Sequence, residues 1–92
     1  MSPIRQLDWD EINEDHIARH GVSPREIDEM CVSDPLVRRG RRGAYLVYGQ
    51  TLEGRYVFAV IEPKAVGIGR CVTARDMTNR EKHNYRMRRR AR

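Results

Sequence analysis

From Trp9 to Cys31 the apolar residues recur every three or four positions; from Leu36 to Ala74 they come in short runs and alternations. The first spacing belongs to helices and the second to strands. Ahead of both, PIRQLDW predicts a short edge strand. The segment DWDEINEDHIARHG predicts a helix, with acids crowding its first turn, where the helix dipole favours them, and Gly21 as its stop. Trp9, Ile12, His16, Ile17 and His20 share one face of that helix at three- and four-residue spacing. Ser23-Pro24-Arg25-Glu26 predicts a second start: a capping serine, a proline at the first helical position and a glutamate completing the capping box. Ile27, Met30 and Cys31 form its apolar stripe and Asp34-Pro35 ends it. A link of about two residues makes the two helices an αα-hairpin.

The period then changes. Leu36 to Arg39 predicts a short strand, Gly40 to Gly43 a basic turn, and Ala44 to Gly49 and Arg55 to Ile61 two strong strands rich in β-branched and aromatic residues. Between them QTLEG reads as a hairpin turn ending in glycine. Val66 to Ala74 predicts a further strand, with Ile68, Arg70, Val72 and Ala74 on one face and Gly67, Gly69, Cys71 and Thr73 on the other. Thr78-Asn79-Arg80-Glu81 repeats the capping box and starts a third helix. Beyond it only Tyr85, Met87 and Ala91 are apolar, so residues 87–92 are expected to fray as a basic tail. No repeat or linker divides residues 1–92, which read as a single domain. The order β-α-α-β-β-β-β-α gives an α+β fold: two N-terminal helices and a C-terminal helix packed on a mostly antiparallel, four- to five-stranded sheet.

Composition narrows the function classes. A chain of 92 residues with 39% hydrophobic and 34% charged residues supports one modest core. No apolar run approaches the roughly 20 residues of a membrane span, and the N-terminus lacks a basic–apolar–small signal pattern, so a cytoplasmic protein without a membrane partner is expected. Cys31 and Cys71 sit among apolar neighbours and read as buried thiols rather than a disulfide or metal pair. The net charge of +5 conceals an asymmetry: residues 1–36 carry three arginines against nine acids (−6), residues 37–69 carry +4 and residues 70–92 carry nine basic residues against two acids (+7). A strongly basic end attracts a polyanion, nucleic acid first among them, although a merely solvated surface has the same composition.

The motif inventory is mostly negative. There is no P-loop, GxGxxG, CxxC pair or HExxH, and no carboxylate cluster on the basic half to hold magnesium, which disfavours a metal or cofactor enzyme. What remains is arginine, lysine, histidine and tyrosine near predicted strand and helix ends. That set suits metal-independent RNA cleavage, in which the 2′-hydroxyl attacks its own phosphate. The protein then supplies a proton acceptor, a proton donor and positive charge. His16 and His20 have two readings each, as packing or helix-end residues and as substrate or metal neighbours. Glu81 is first the fourth residue of the Thr78 capping box, and Tyr85, one turn on, either packs the helix or faces a substrate.

WDEINEDHIARHGVSPREIDE, DPLVRR, YLVYGQTLEGRYVFAVI and VTARDMTNREKHNY, in that order, resemble the BrnT family of bacterial toxins from about Leu7 to Tyr85. The matching positions are Trp9 and Asp10, Arg19-His20-Gly21, Thr73-Ala74-Arg75, and Glu81 with Tyr85. The resemblance implies a compact fold related to the RelE-type ribonucleases and RNA cleavage that inhibits translation. It also implies a small antitoxin partner of the ribbon-helix-helix type, in a type II toxin–antitoxin pair. Many relatives carry lysine where this chain has Arg19, which keeps the charge and removes a titratable amine.

On this reading Arg75 binds the scissile phosphate, His20 or His83 handles a proton, and Glu81 and Tyr85 complete the candidate catalytic set. Arg19, Arg70, Arg80, Lys82, Arg86, Arg88 and Arg89 are the candidate RNA contacts, with no metal and no cofactor. The competing class is a non-catalytic basic module that binds nucleic acid or an antitoxin.

Overall fold

Three helices open in the same way. Asp10, Ser23 and Thr78 each accept a hydrogen bond from the backbone N–H three residues on, and Asn13, Glu26 and Glu81 each accept one back from the cap's own N–H. These reciprocal boxes satisfy donors that a helix start leaves orphaned. They launch α1 (Glu11–Ala18), α2 (Pro24–Val32) and α3 (Asn79–Arg90). The structure is a computed structural model that describes residues 4–91. Five strands complete it: β1 (Gln6–Asp8), β2 (Leu36–Arg39), β3 (Tyr45–Gln50), β4 (Tyr56–Ala65) and β5 (Ile68–Asp76).

The fold is α+β, with a five-stranded mixed sheet in the order β1-β5-β4-β3-β2. Only β1 with β5 is a parallel pair; the other neighbours are antiparallel. Alternation along β3 and β4 sends residues to opposite faces. Val47, Val57, Ala59 and Ile61 meet Ile17 of α1 and Ile27, Met30 and Cys31 of α2 in the main core. Tyr48, Tyr56, Phe58 and Val60 belong to a smaller cluster with Met77 and Tyr85, which seats α3 on the opposite face. Gly49 lets α2 approach β3, because a Cβ there would lie 2.9 Å from that of Met30. Burial pushes the Cys31 and Cys71 thiols up to about 12, and both are free. No helix among the described residues is long and apolar enough to cross a membrane.

Several expectations are corrected. The buried residues of α1 are Asn13 and Ile17, whereas Ile12 is 76% exposed and His16 and His20 lie in solvent. Asn13 turns inward because it closes the capping box and also donates to the Asp8 carbonyl, at 2.9 Å. That rotates Ile12 outward. The link between α1 and α2 spans residues 19–23 rather than about two. Gly21 takes φ +72°, with its N–H on Ala18 O and that of Val22 on Ile17 O, the hydrogen-bond pair of a Schellman stop.

On β5 the predicted alternation fails. Thr73 pairs with Val60 and Cys71 with Ile61, so Val72 is an extra residue at a bulge. The phase therefore flips, and Ala74 joins Cys71 in the main core instead of sharing a face with Ile68 and Arg70. Val66 and Gly67 form the β4–β5 turn, not the start of β5. α3 runs to Arg90, and Arg89 donates to the Asp34 carbonyl at 3.0 Å; neither observation tests whether residues 87–92 fray, and the final arginine lies outside the described residues.

Candidate RNA-binding face and phosphate site

A four-strand row crosses the sheet face beneath α3. Leu36 pairs with Tyr48, Tyr48 with Phe58 and Phe58 with Arg75. The Tyr48 and Phe58 rings lie 4.9 Å apart and the Arg75 guanidinium stands 4.5 Å over the Phe58 ring. Phe58 gives the cation an aromatic seat and limits the directions it can take.

Glu81 takes up one edge of that guanidinium. Arg75 Nη1 donates to Oε1 at 2.7 Å and Nη2 to Oε2 at 3.2 Å, while Nη1 also donates to the Asp76 carbonyl at 3.0 Å. The Glu81 carboxyl is held below its usual range, first by the Arg75 hydrogen bonds, against a smaller opposing effect of burial. It is ionised at neutral pH. Arg75 Nε makes no hydrogen bond among the described residues, so the arginine keeps a free donor edge.

From Glu81 along α3 the surface opens twice. A crevice of about 40 Å³ is lined by Leu36, Arg38, Tyr48, Glu81, Asn84 and Tyr85. A wider cleft of about 360 Å³ continues from it along α3, sharing Arg38 and Asn84 and adding Met87, Arg88 and Ala91.

Comparison with protein-family models, with curated proteins and with solved structures finds no match to this chain. The functional reading therefore rests on its own residues.

The candidates named from sequence divide into those that meet here and those that do not. Arg75 and Glu81 meet. Tyr85 is 3% exposed, edge-on to Tyr56 at 5.9 Å, and its hydroxyl accepts from Arg89 at 3.3 Å, so it anchors α3 on the sheet while lining the crevice. Arg86 donates to the Tyr56 hydroxyl at 3.2 Å with its guanidinium over that ring, and Lys82 lies 5.9 Å from the same ring. Arg80 and Arg88 are exposed on α3.

His83 is exposed on the turn of α3 opposite Tyr85, and no contact among the described residues joins it to Arg75. His20 and Arg19 lie in the exposed link after α1, with the His20 ring 6.1 Å from that of His16. Arg70 is engaged elsewhere, gripping both carboxylate oxygens of Asp10 at the start of α1. No group of three or more His, Cys, Asp or Glu residues among those described could hold a metal.

Three residues escaped the sequence reading. Arg38 and Tyr48 line the crevice; their signal was the strand alternation itself, which puts them on the face of Leu36, Leu46 and Phe58. Arg55 is the third. Its Nη1 donates to the Gly21 carbonyl at 2.7 Å and to Glu26, and its Nε donates to Asp76 at 2.7 Å, which ties the His20 link to the end of β5. Nothing local marks it beyond an arginine following a turn glycine.

Proposed function

We propose that this chain is a metal-independent endoribonuclease of the BrnT kind, acting on RNA phosphodiesters as the toxin of a type II pair. The observation that carries this reading is Arg75: a cation seated on an aromatic ring, with a free donor edge, and paired with a glutamate that lines a crevice also walled by Arg38. A scissile phosphate engages that free edge first and then draws the guanidinium away from Glu81; the arginine stays charged throughout and binds phosphate in the same two-pronged manner as carboxylate. The arginine then stabilises the extra negative charge of the phosphorane.

Glu81, displaced but still ionised, is the nearest acceptor for the 2′-hydroxyl proton. The attack forms the bond from O2′ to phosphorus and breaks the bond to the 5′-oxygen, which takes a proton as it leaves. The products are a 2′,3′-cyclic phosphate and a 5′-hydroxyl. Tyr48, whose ring lies 4.9 Å from the Phe58 ring that seats Arg75, is a candidate donor, and His20 and His83, which stand apart from Arg75, are the alternatives. Lys82, Arg80 and Arg86 extend the grip along α3. A small antitoxin that covers this basic face fits the same reading.

The test is incubation of folded, antitoxin-free protein with RNA in the presence of a chelator. Cleavage ending in cyclic phosphate, strongly reduced by Arg75→Ala, supports the proposal, and intact RNA defeats it. A second reading, a binding module without catalysis, is favoured by one observation: both histidines stand apart from Arg75. It predicts salt-sensitive RNA binding with no new RNA ends and no growth arrest on expression.

A further inference from the structure

We propose that the cleft between β2 and the C-terminal half of α3 seats one nucleotide of a single-stranded RNA, its phosphate between Arg38 and Arg88 and its base edge read by Asn84. The choice of RNA as the polymer rests on the function proposed above; the binding itself is tested without cleavage.

The cleft has the dimensions for this. At about 360 Å³ it falls within the range of small-molecule sites, roughly 300–1,000 Å³, and it opens inward to the crevice floored by Tyr48. Its charge is uncompensated by the described residues. Arg55, Arg70 and Arg75 each have a carboxylate partner, and Arg86 and Arg89 have hydrogen-bond acceptors. Among the described residues Arg38 and Arg88 have neither, and no described carboxylate lines the wide cleft. Two unpaired guanidinium groups on facing walls leave forks open for a phosphate.

The remaining lining fits a base rather than a bare anion. The Asn84 side-chain amide makes no hydrogen bond among the described residues, so it offers both donors and an acceptor to a base edge. Met87 leaves its side chain 52% exposed in the same cleft, a polarizable apolar surface against which a ring can lie. An isolated phosphate has no use for either group. A base reaches such a cleft only when unstacked, which selects single-stranded over duplex RNA.

The experiment is an NMR titration of the ¹⁵N-labelled full chain with the four ribonucleoside 5′-monophosphates, ribose 5-phosphate and inorganic phosphate. At least one nucleotide is expected to shift the Asn84 side-chain amide saturably, and to bind about fivefold or more tighter than inorganic phosphate, a difference of about 1 kcal/mol. Arg38→Ala combined with Arg88→Ala is expected to weaken every nucleotide by about tenfold. Asn84→Ala is expected to level the differences among bases while leaving phosphate binding unchanged. All three side chains are exposed, so the variants retain the core, which their unperturbed spectra verify. Nucleotides binding no better than inorganic phosphate, or no shift at Asn84, overturns the proposal. Nucleotide binding by a protein that leaves RNA intact retires the nuclease and keeps the cleft; RNA cleavage unaffected by the double variant, with Asn84 silent, does the reverse.

Discussion

Arg75 and Glu81 hold each other in a two-pronged ion pair, at 2.7 and 3.2 Å, across the junction from β5 to α3. The same Glu81 accepts from the Thr78 N–H at 2.8 Å and so closes the cap of α3. One carboxylate thus anchors a helix and occupies the cation assigned to phosphate.

The two roles separate in Glu81→Gln. Glutamine serves in a capping box as glutamate does, so the helix start survives, but the charge that competes for Arg75 is gone. RNA or phosphate binding is expected to tighten about tenfold, equivalent to roughly 1.4 kcal/mol. If Glu81 also takes the 2′-hydroxyl proton, the cleavage rate at saturation falls while binding improves. Glu81→Ala removes the cap as well and lowers the urea midpoint. Unchanged affinity in Glu81→Gln would show that the carboxylate does not gate Arg75.

Arg55 joins three elements through one half-buried guanidinium: the link after α1, the cap of α2 and the end of β5. Its hydrogen bond to Asp76 is the foremost reason that its pKa is raised. Asp76 is well exposed and that pair is weakened by solvent, whereas Glu26 is better shielded. Arg55→Met keeps much of the packing and leaves Glu26 without its cation. A loss of about 1–3 kcal/mol in urea unfolding is expected. A midpoint within experimental error of the parent would mean that the network is ornamental.

Tyr85 tests packing against ligand contact. Tyr85→Phe loses only the hydroxyl that accepts from Arg89, and RNA binding is expected to stay within about twofold of the parent. Tyr85→Ala removes the only buried side chain of α3 and is expected to cost about 3–5 kcal/mol, releasing the helix and with it the crevice. Should Tyr85→Phe abolish cleavage with the fold intact, the phenol belongs to the chemistry after all.

What could be read in advance follows from how local each cause is. The Ser23 and Thr78 capping boxes, the Gly21 stop and the order of elements are written in neighbours three or four residues apart, and they were legible, whereas the Asp10–Asn13 box of α1 was not read. The Val72 bulge was not, because it is decided by where β4 pairs with β5. Ile12 was misplaced for a related reason: its apolarity suggests burial, but the inward turn of Asn13 toward Asp8 O rotates the helix away from it. Arg75 and Glu81 were singled out separately, yet their pairing depends on the turn at Met77 that brings α3 back over the sheet. Arg38 and Tyr48 join them only through a register across β2 and β3. Side chains gathered from four elements leave no spacing to find.

The acidic limb of stability offers the last test. Asp10 is lowered to about 2, chiefly by the Arg70 hydrogen bond. Glu81 and Asp76 are lowered foremost by hydrogen bonds from Arg75 and Arg55. For Glu26 the largest single effect is burial, which pushes it up, but the Ser23 backbone and Arg55 together outweigh it and the net direction is down. Each carboxylate therefore binds its proton more weakly in the folded chain than in the unfolded one. Such groups contribute stability above their unfolded values, about 4, and lose it as the pH falls through their folded values. The urea midpoint is expected to be flat from about pH 7 to 5 and to fall from about pH 4 toward 2, with Asp10 the last to protonate. Asp10→Asn keeps an effective helix cap and removes the charge facing Arg70, so its profile should be shallower at the lowest pH while matching the parent shape above about pH 4. A midpoint that held steady to pH 2, or an Asp10→Asn profile as steep as the parent's, would mean that these ion pairs contribute nothing to the fold.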